Sequence, residues 1–176
     1  MADLPAGLAP VLAFVNTIDV EDGTDVLADG PRAFSAWLHG ERLVPRRAAV
    51  TAEELALAVD LRAGLRAELL RNNGETPAAA DLRAGEDALR RLPLTAGLDA
   101  PWQAGAAGPV EAALGRIVAG YVQARADGTW SRLRRCPAED CQWVFWDSSR
   151  NATRRWCSMR VCGNRAKVRA FQQRRG

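Results

Sequence analysis

Apolar residues recur at helical spacing through most of the first 126 positions of this chain. Leu8, Val11, Leu12 and Val15 repeat at intervals of three and four with Phe14 beside them, which predicts an amphipathic helix between Pro5 and Ile18. Glu21 to Gly30 is polar and punctuated by glycine. Pro31 then stands at a first helical position before Phe34, Trp37 and Leu38, so a short second helix is expected to end near Gly40. Thr51 and Glu54 form a T-x-x-E capping box ahead of a leucine-rich run from Leu55 to Leu70, the strongest helix signal in the chain. Asn72, Asn73 and Gly74 should stop that helix after Arg71. Thr76 and Pro77 are the expected N-cap and first residue of a fourth helix, carrying Leu82, Ala88, Leu89 and Leu92 and closed by Pro93. Leu94 to Gly108 reads as a short hairpin or loop, and Val110 to Ala126 is again helical through Leu114, Ile117, Val118, Tyr121 and Val122.

Asp127 and Gly128 break this pattern, and the chain then turns basic and rich in tryptophan. The expected organisation is a helical domain over residues 1–129 and a small second unit over 130–176, with the first folding without the second. At 176 residues, with 48% hydrophobic and 26% charged positions, the chain has the composition of a folded, water-soluble protein of one main core and one satellite. Its N-terminus lacks the basic and apolar pattern of an export signal, and its longest apolar run, Leu8 to Val15, is far short of the ~20 residues that cross a bilayer. A cytoplasmic location without membrane partners is the expectation.

The net charge of +3 conceals a division. Residues 131–176 hold 12 Lys and Arg against 3 Asp and Glu, a balance of +9, which leaves 12 against 18, or −6, for the remainder. A basic segment on an acidic body is the pattern of a protein that brings one part to a polyanion, because phosphate neutralisation dominates sequence-independent nucleic-acid affinity.

All four cysteines fall in this basic segment, spaced C-x4-C-x15-C-x4-C at Cys136, Cys141, Cys157 and Cys162. Two close pairs separated by a loop supply two clamps around one tetrahedral ion, and soft thiolate ligands select zinc. Two disulfides, or four unrelated buried thiols, are the competing readings; the reducing compartment weighs against the first. Four protein ligands leave no open coordination position, so the expected ion is structural, and it would hold together a segment with too little apolar surface to fold alone. Between the pairs, Gln142 to Trp146 is β-prone, with Trp143 and Phe145 on one face and Val144 and Trp146 on the other. From Gly163 onward a helix is expected, with Asn164, Val168 and Phe171 turned inward and Arg165, Arg169, Lys167 and Arg174 projecting. Gly163 is expected to let the backbone approach a thiolate closely.

Residues 162–165 read Cys-Gly-Asn-Arg, and with Cys136, Cys141, Lys167, Val168 and Arg169 the segment closely resembles the CGNR zinc finger. Upstream, Leu12-Ala13-Phe14-Val15-Asn16-Thr17 followed after a loop by Trp37 resembles the ABATE domain that precedes this finger in bacterial stress-induced transcription regulators. The resemblance implies a mainly α (α+β) protein: a helical N-terminal domain, a short hairpin, and a treble-clef-like finger of β-hairpin and helix. It also implies a transcription regulator that binds nucleic acid, DNA before RNA, with an N-terminal domain that either senses a small-molecule or other signal or pairs subunits as a homodimer.

The expected nucleic-acid contacts are Arg165, Lys167, Arg169 and Arg174 on the last helix, with Arg150, Arg154 and Arg155 in the loop. The plainer alternative is a solvated basic face that offsets the thiolate charge. Trp143 and Trp146 are read as core before base-stacking residues. Asn164 is read as a brace near the metal, and Asn16 and Thr17 as a helix end or the lining of a ligand pocket. His39, the one histidine, has no catalytic partner in sequence and is read as capping or surface. No catalytic motif stands out, so the chain is not expected to be an enzyme. An RNA- or ribosome-associated protein, and a protein-interaction adaptor or small enzyme with its site in the N-terminal domain, are the remaining readings.

Overall fold

The computed structural model describes residues 3–98, 102–105 and 107–174. A single 3-10 turn at Ala6–Leu8 leads into α1 (Ala9–Val15), which buries Val11, Phe14 and Val15 and ends at Asn16, so the first helix is shorter than its apolar pattern. The polar stretch that follows is a two-stranded turn, β1 (Ile18–Asp19) against β2 (Thr24–Asp25). Helix α2 (Pro31–Gly40) begins at Pro31 as expected, stacks Phe34 on Trp37 and sets both rings at a tilt against Phe14. His39 lies in its last turn.

Helix α3 (Ala52–Asn72) is the longest, and both halves of its capping box are formed: Glu54 N–H donates to Thr51 Oγ1, and Thr51 N–H donates to Glu54 Oε2 at 2.8 Å. Helix α4 (Ala79–Arg91) begins later than expected. Its N-cap is Ala78, with no capping side chain, so Thr76 and Pro77 stand outside it. Packing on α3 positions α4 instead: Gly64 and Gly85 meet backbone to backbone, and a Cβ on Gly85 would lie 2.5 Å from the Gly64 Cα. The Leu94–Gly108 segment contains the hairpin β3 (Leu94–Thr95) with β4 (Gln103–Ala104); residues 99–101 and 106 of the expected turn lie outside the described residues. Helix α5 (Pro109–Ala126) then closes the helical core through Val110, Leu114, Ile117 and Val118.

After a left-handed Gly128 and a 3-10 turn at Thr129–Arg132, β5 (Leu133–Arg135) pairs antiparallel with β6 (Val144–Trp146), placing Leu133 opposite Trp146 and Arg135 opposite Val144. The chain ends with a π-helical turn at Met159–Gly163 that runs into α6 (Asn164–Gln173). The division expected near residue 130 does not separate two cores. Trp130, Leu133 and Val144 are buried in the same apolar cluster as α1, α3 and α5, while Cys136, Cys141, Phe145 and Cys162 form a second, small cluster. The alternation read from sequence explains this: Val144 and Trp146 face the helices, and Phe145 faces the cysteines. No helix among the described residues is long and apolar enough to cross a membrane.

Candidate zinc centre and nucleic-acid interface

The hairpin delivers Cys136 and Cys141 from its tip, and the π-helical turn delivers Cys157 and Cys162 from just before and within it. All four Sγ atoms lie within 4.8 Å of one another, with Cys141–Cys157 and Cys157–Cys162 separations of 3.5 Å. A disulfide would bring two sulfurs to about 2.05 Å. Four thiolates at ~2.3 Å from one tetrahedral zinc would sit roughly 3.8 Å apart, which matches the cluster. The cysteines are free, and three of them are buried.

Local hydrogen bonds shape this knuckle before any metal enters. Cys136 N–H donates to Trp143 O at 2.8 Å, and Cys141 N–H donates to Ala138 O at 3.0 Å. Gln142 turns the chain in a left-handed conformation, φ 54°. Burial, then the crowding of Cys136, pushes the Cys141 thiol up to about 11 despite a backbone N–H from Trp143. Burial and the neighbouring thiols Cys162 and Cys141 raise Cys157 as well. Burial also works against Cys162, but the Arg165 guanidinium, with Nη2 donating to Sγ at 3.2 Å, and neighbouring thiols hold it below the ordinary range. So many thiolates together repel one another, and a divalent cation is the group that allows all four to ionise. The site is a structural zinc centre with four protein ligands.

Helix α6 is rotated relative to the expectation. Arg165 and Arg169 are held by carboxylates: Arg165, half-buried, pairs with Glu21 of the β1–β2 turn at 3.0 Å and with Asp140 at 3.3 Å, and Arg169, still exposed, pairs with Asp140 at 2.8 Å. Val168 and Phe171 are instead 55% and 50% exposed, so they are not the core of the finger. Asn164 is exposed too; its Nδ2 donates to Arg160 O at 3.0 Å and braces the π-helical turn rather than the metal. At Gly163 the tight neighbour is not a thiolate. A Cβ there would lie 2.6 Å from Met159 Sδ and 3.4 Å from Trp156.

Arg154 is equally committed. Its guanidinium lies 4.7 Å from the Phe145 ring centre, and its Nε and Nη2 donate to Trp156 O and Cys157 O, so it holds the loop that carries a zinc ligand. Asp147, fully buried, accepts from Ser149 N–H and Arg154 N–H at 2.9 and 2.7 Å. Burial raises the carboxyl of Asp147, but the Ser149 and Arg154 bonds and the Arg134 charge hold it below the usual range. Of the sequence-predicted contacts all but the half-buried Arg165 are exposed, but only Arg150, Arg155, Lys167 and Arg174 keep guanidinium or ammonium groups free of hydrogen bonds and ion pairs among the described residues, and Arg160, which sequence reasoning passed over, joins them. Its basic charge was the available signal.

Asn16 also has a role that its place at a helix end concealed: it bonds the backbone of β6 across to α1. Thr17 likewise accepts from buried Arg62, which forms a two-point ion pair with Asp25 at 2.6 and 2.7 Å. Arg66 donates to Val15 O and Gln142 O, while Asn72 donates to Trp130 O and Leu133 O, so polar side chains of α3 reach the finger along much of its length.

A mainly α body joined to a four-cysteine knuckle, hairpin and helix defines a zinc-finger protein. The comparisons agree: residues 132–175 match the CGNR zinc finger, and residues 8–141 match ABATE, described as "Putative stress-induced transcription regulator". The chain belongs to the ABATE family. The two matches overlap over residues 132–141, where β5 and the first cysteine pair serve both units. No curated protein matches the chain.

Proposed function

We propose that this chain is a transcription regulator that binds duplex DNA through its zinc finger, while the helical domain senses a signal or pairs subunits. It acts by binding rather than turnover. The observation that carries this reading is the division of the finger's cations into two sets. Arg132, Arg134, Arg154, Arg165 and Arg169 are spent on carbonyls, carboxylates and a thiolate. Among the described residues, the side chains of Arg150, Arg160, Lys167 and Arg174 are exposed and hold no hydrogen bond or ion pair, and that of Arg155 holds none either and lies over the Trp156 ring at 5.1 Å.

At ~100° per residue, Lys167, Val168, Phe171 and Arg174 span about 120° of α6, on the side away from Arg165 and Arg169. A helix face mixing cations with apolar groups suits a major groove, where cations take phosphates or guanine and apolar groups take thymine methyls. The test is a salt series of binding to a mixed-sequence duplex. Lys167→Ala with Arg174→Ala should weaken binding and flatten the slope of log affinity against log salt by ~0.9 per lost contact. Zinc-loaded protein with no affinity at ~50 mM salt would end this reading. Trp143, 37% exposed beside the knuckle, supports single-stranded RNA as the second reading, because an exposed indole can stack on unpaired bases.

A further inference from the structure

Two arginines from distant parts of the chain converge on one residue beside the zinc knuckle. Arg66 of α3 donates from Nη2 to Gln142 O at 3.1 Å, and Arg135 of β5 donates to Gln142 Oε1. Arg62 lies one helical turn before Arg66 but is engaged by Asp25. Arg66 donates otherwise only to the carbonyl of Val15, and neither Arg66 nor Arg135 has an ion-pair partner among the described residues. All three guanidinium-bearing residues line one cleft of about 200 Å³, walled on its apolar side by Ile18 and Val59. Asp81, in the first turn of α4, is the wall's one carboxylate among the described residues.

This arrangement is costly as it stands. Two partly buried cations sit near each other without an anion between them, and guanidinium forks match carboxylate and phosphate oxygens in pairs. Burial, then the charges of Arg135 and Arg62, lowers Arg66 to about 10, against the pull of Asp25. The missing component is negative charge.

We propose that this cleft binds a small oxyanion, a phosphate or carboxylate group on a short apolar body, between Arg66 and Arg135. The volume admits such a group with a few carbon atoms, and Ile18 and Val59 give those atoms an apolar wall. Because Gln142 directly follows the zinc ligand Cys141, an occupant would tie α3 to the knuckle. The site is separate from the exposed cations of α6 and does not depend on nucleic-acid binding.

The test titrates the zinc-loaded full chain by calorimetry with inorganic phosphate and with butyrate, at ionic strength fixed by chloride. At least one probe should bind saturably with one equivalent per chain. Arg135→Gln should weaken it at least tenfold, and Asp81→Asn, an exposed change that removes the opposing carboxylate, should tighten it severalfold. Zinc content and helix content are measured alongside, so the Asp81 variant keeps the test valid if the Arg135 variant misfolds. Absence of saturable binding by both probes overturns the proposal, as does binding indifferent to Asp81→Asn and Arg135→Gln, which would put the ion elsewhere, on the nucleic-acid face included.

Discussion

The side-chain amide of Asn16 pairs with the backbone of Val144 as a neighbouring strand would, donating to its carbonyl at 2.8 Å and accepting from its N–H at 2.9 Å. Val144 is fully buried and belongs to the helical core, so these two bonds satisfy polar groups that have little access to water. Asn16→Ala should therefore destabilise the chain by ~2–4 kcal/mol, since unpaired buried groups cost ~1–3 kcal/mol each. Urea denaturation measures it, and a loss below ~0.5 kcal/mol would show that β6 does not depend on α1.

Gly64 and Gly85 allow α3 and α4 to touch through their backbones. Gly85→Ala forces one backbone off another rather than displacing a flexible side chain, so the helices must separate. The expected cost is ~1–3 kcal/mol, the range for overpacking, even though alanine favours an isolated helix. Thermal denaturation of the variant decides between these opposing effects, and a rise in Tm would mean that α4 is free to shift.

Arg62 is buried and holds Asp25 through both carboxylate oxygens. Burial raises the Asp25 carboxyl, but Arg62 and the N–H groups of Ala28 and Leu27 outweigh it and hold the carboxyl below its ordinary value. A depressed folded-state value means that the stabilisation is complete above the unfolded value of ~3.9 and is lost as pH falls through the folded one. Asp25→Asn should cost ~3–5 kcal/mol at neutral pH by stranding Arg62, and should flatten the acid limb of stability below pH ~4. An acid limb identical to that of the parent chain would remove Asp25 from the interaction.

Much of this architecture is visible in the residues themselves. The capping box at Thr51 and Glu54, the proline starts of α2 and α5, and the four-cysteine spacing each encode their structure within a few positions. What was hidden depends on partners far away in sequence. The rotation of α6 could not be read from its apolar stripe, because the deciding groups are Asp140 and Glu21, the latter 144 residues away. The late start of α4 follows from its packing on Gly64, and the bracing role of Asn16 from a strand 128 residues further on.

Arg165 touches the Cys162 thiolate, Glu21 and Asp140 together, so it anchors α6 and the zinc knuckle to the helical domain. Arg165→Ala should weaken zinc retention against a chelator and increase amide exchange in α6. The salt slope of nucleic-acid binding should stay as it is in the fraction that remains zinc-loaded. A fall in that slope near 0.9 would instead make Arg165 a phosphate contact.

The fusion of the finger hairpin with the helical core is tested most directly by following zinc release, with a chromophoric indicator, and helix content, by circular dichroism, through one urea titration. Leu133 and Val144 are buried among the helices while Cys136 and Cys141 flank them on the same hairpin, so metal and helices should be lost at the same midpoint, with about one zinc released per chain. Zinc lost at much lower urea while the helices and their midpoint stay unchanged would contradict this, and would make the finger a separate unit attached to an independent helical domain.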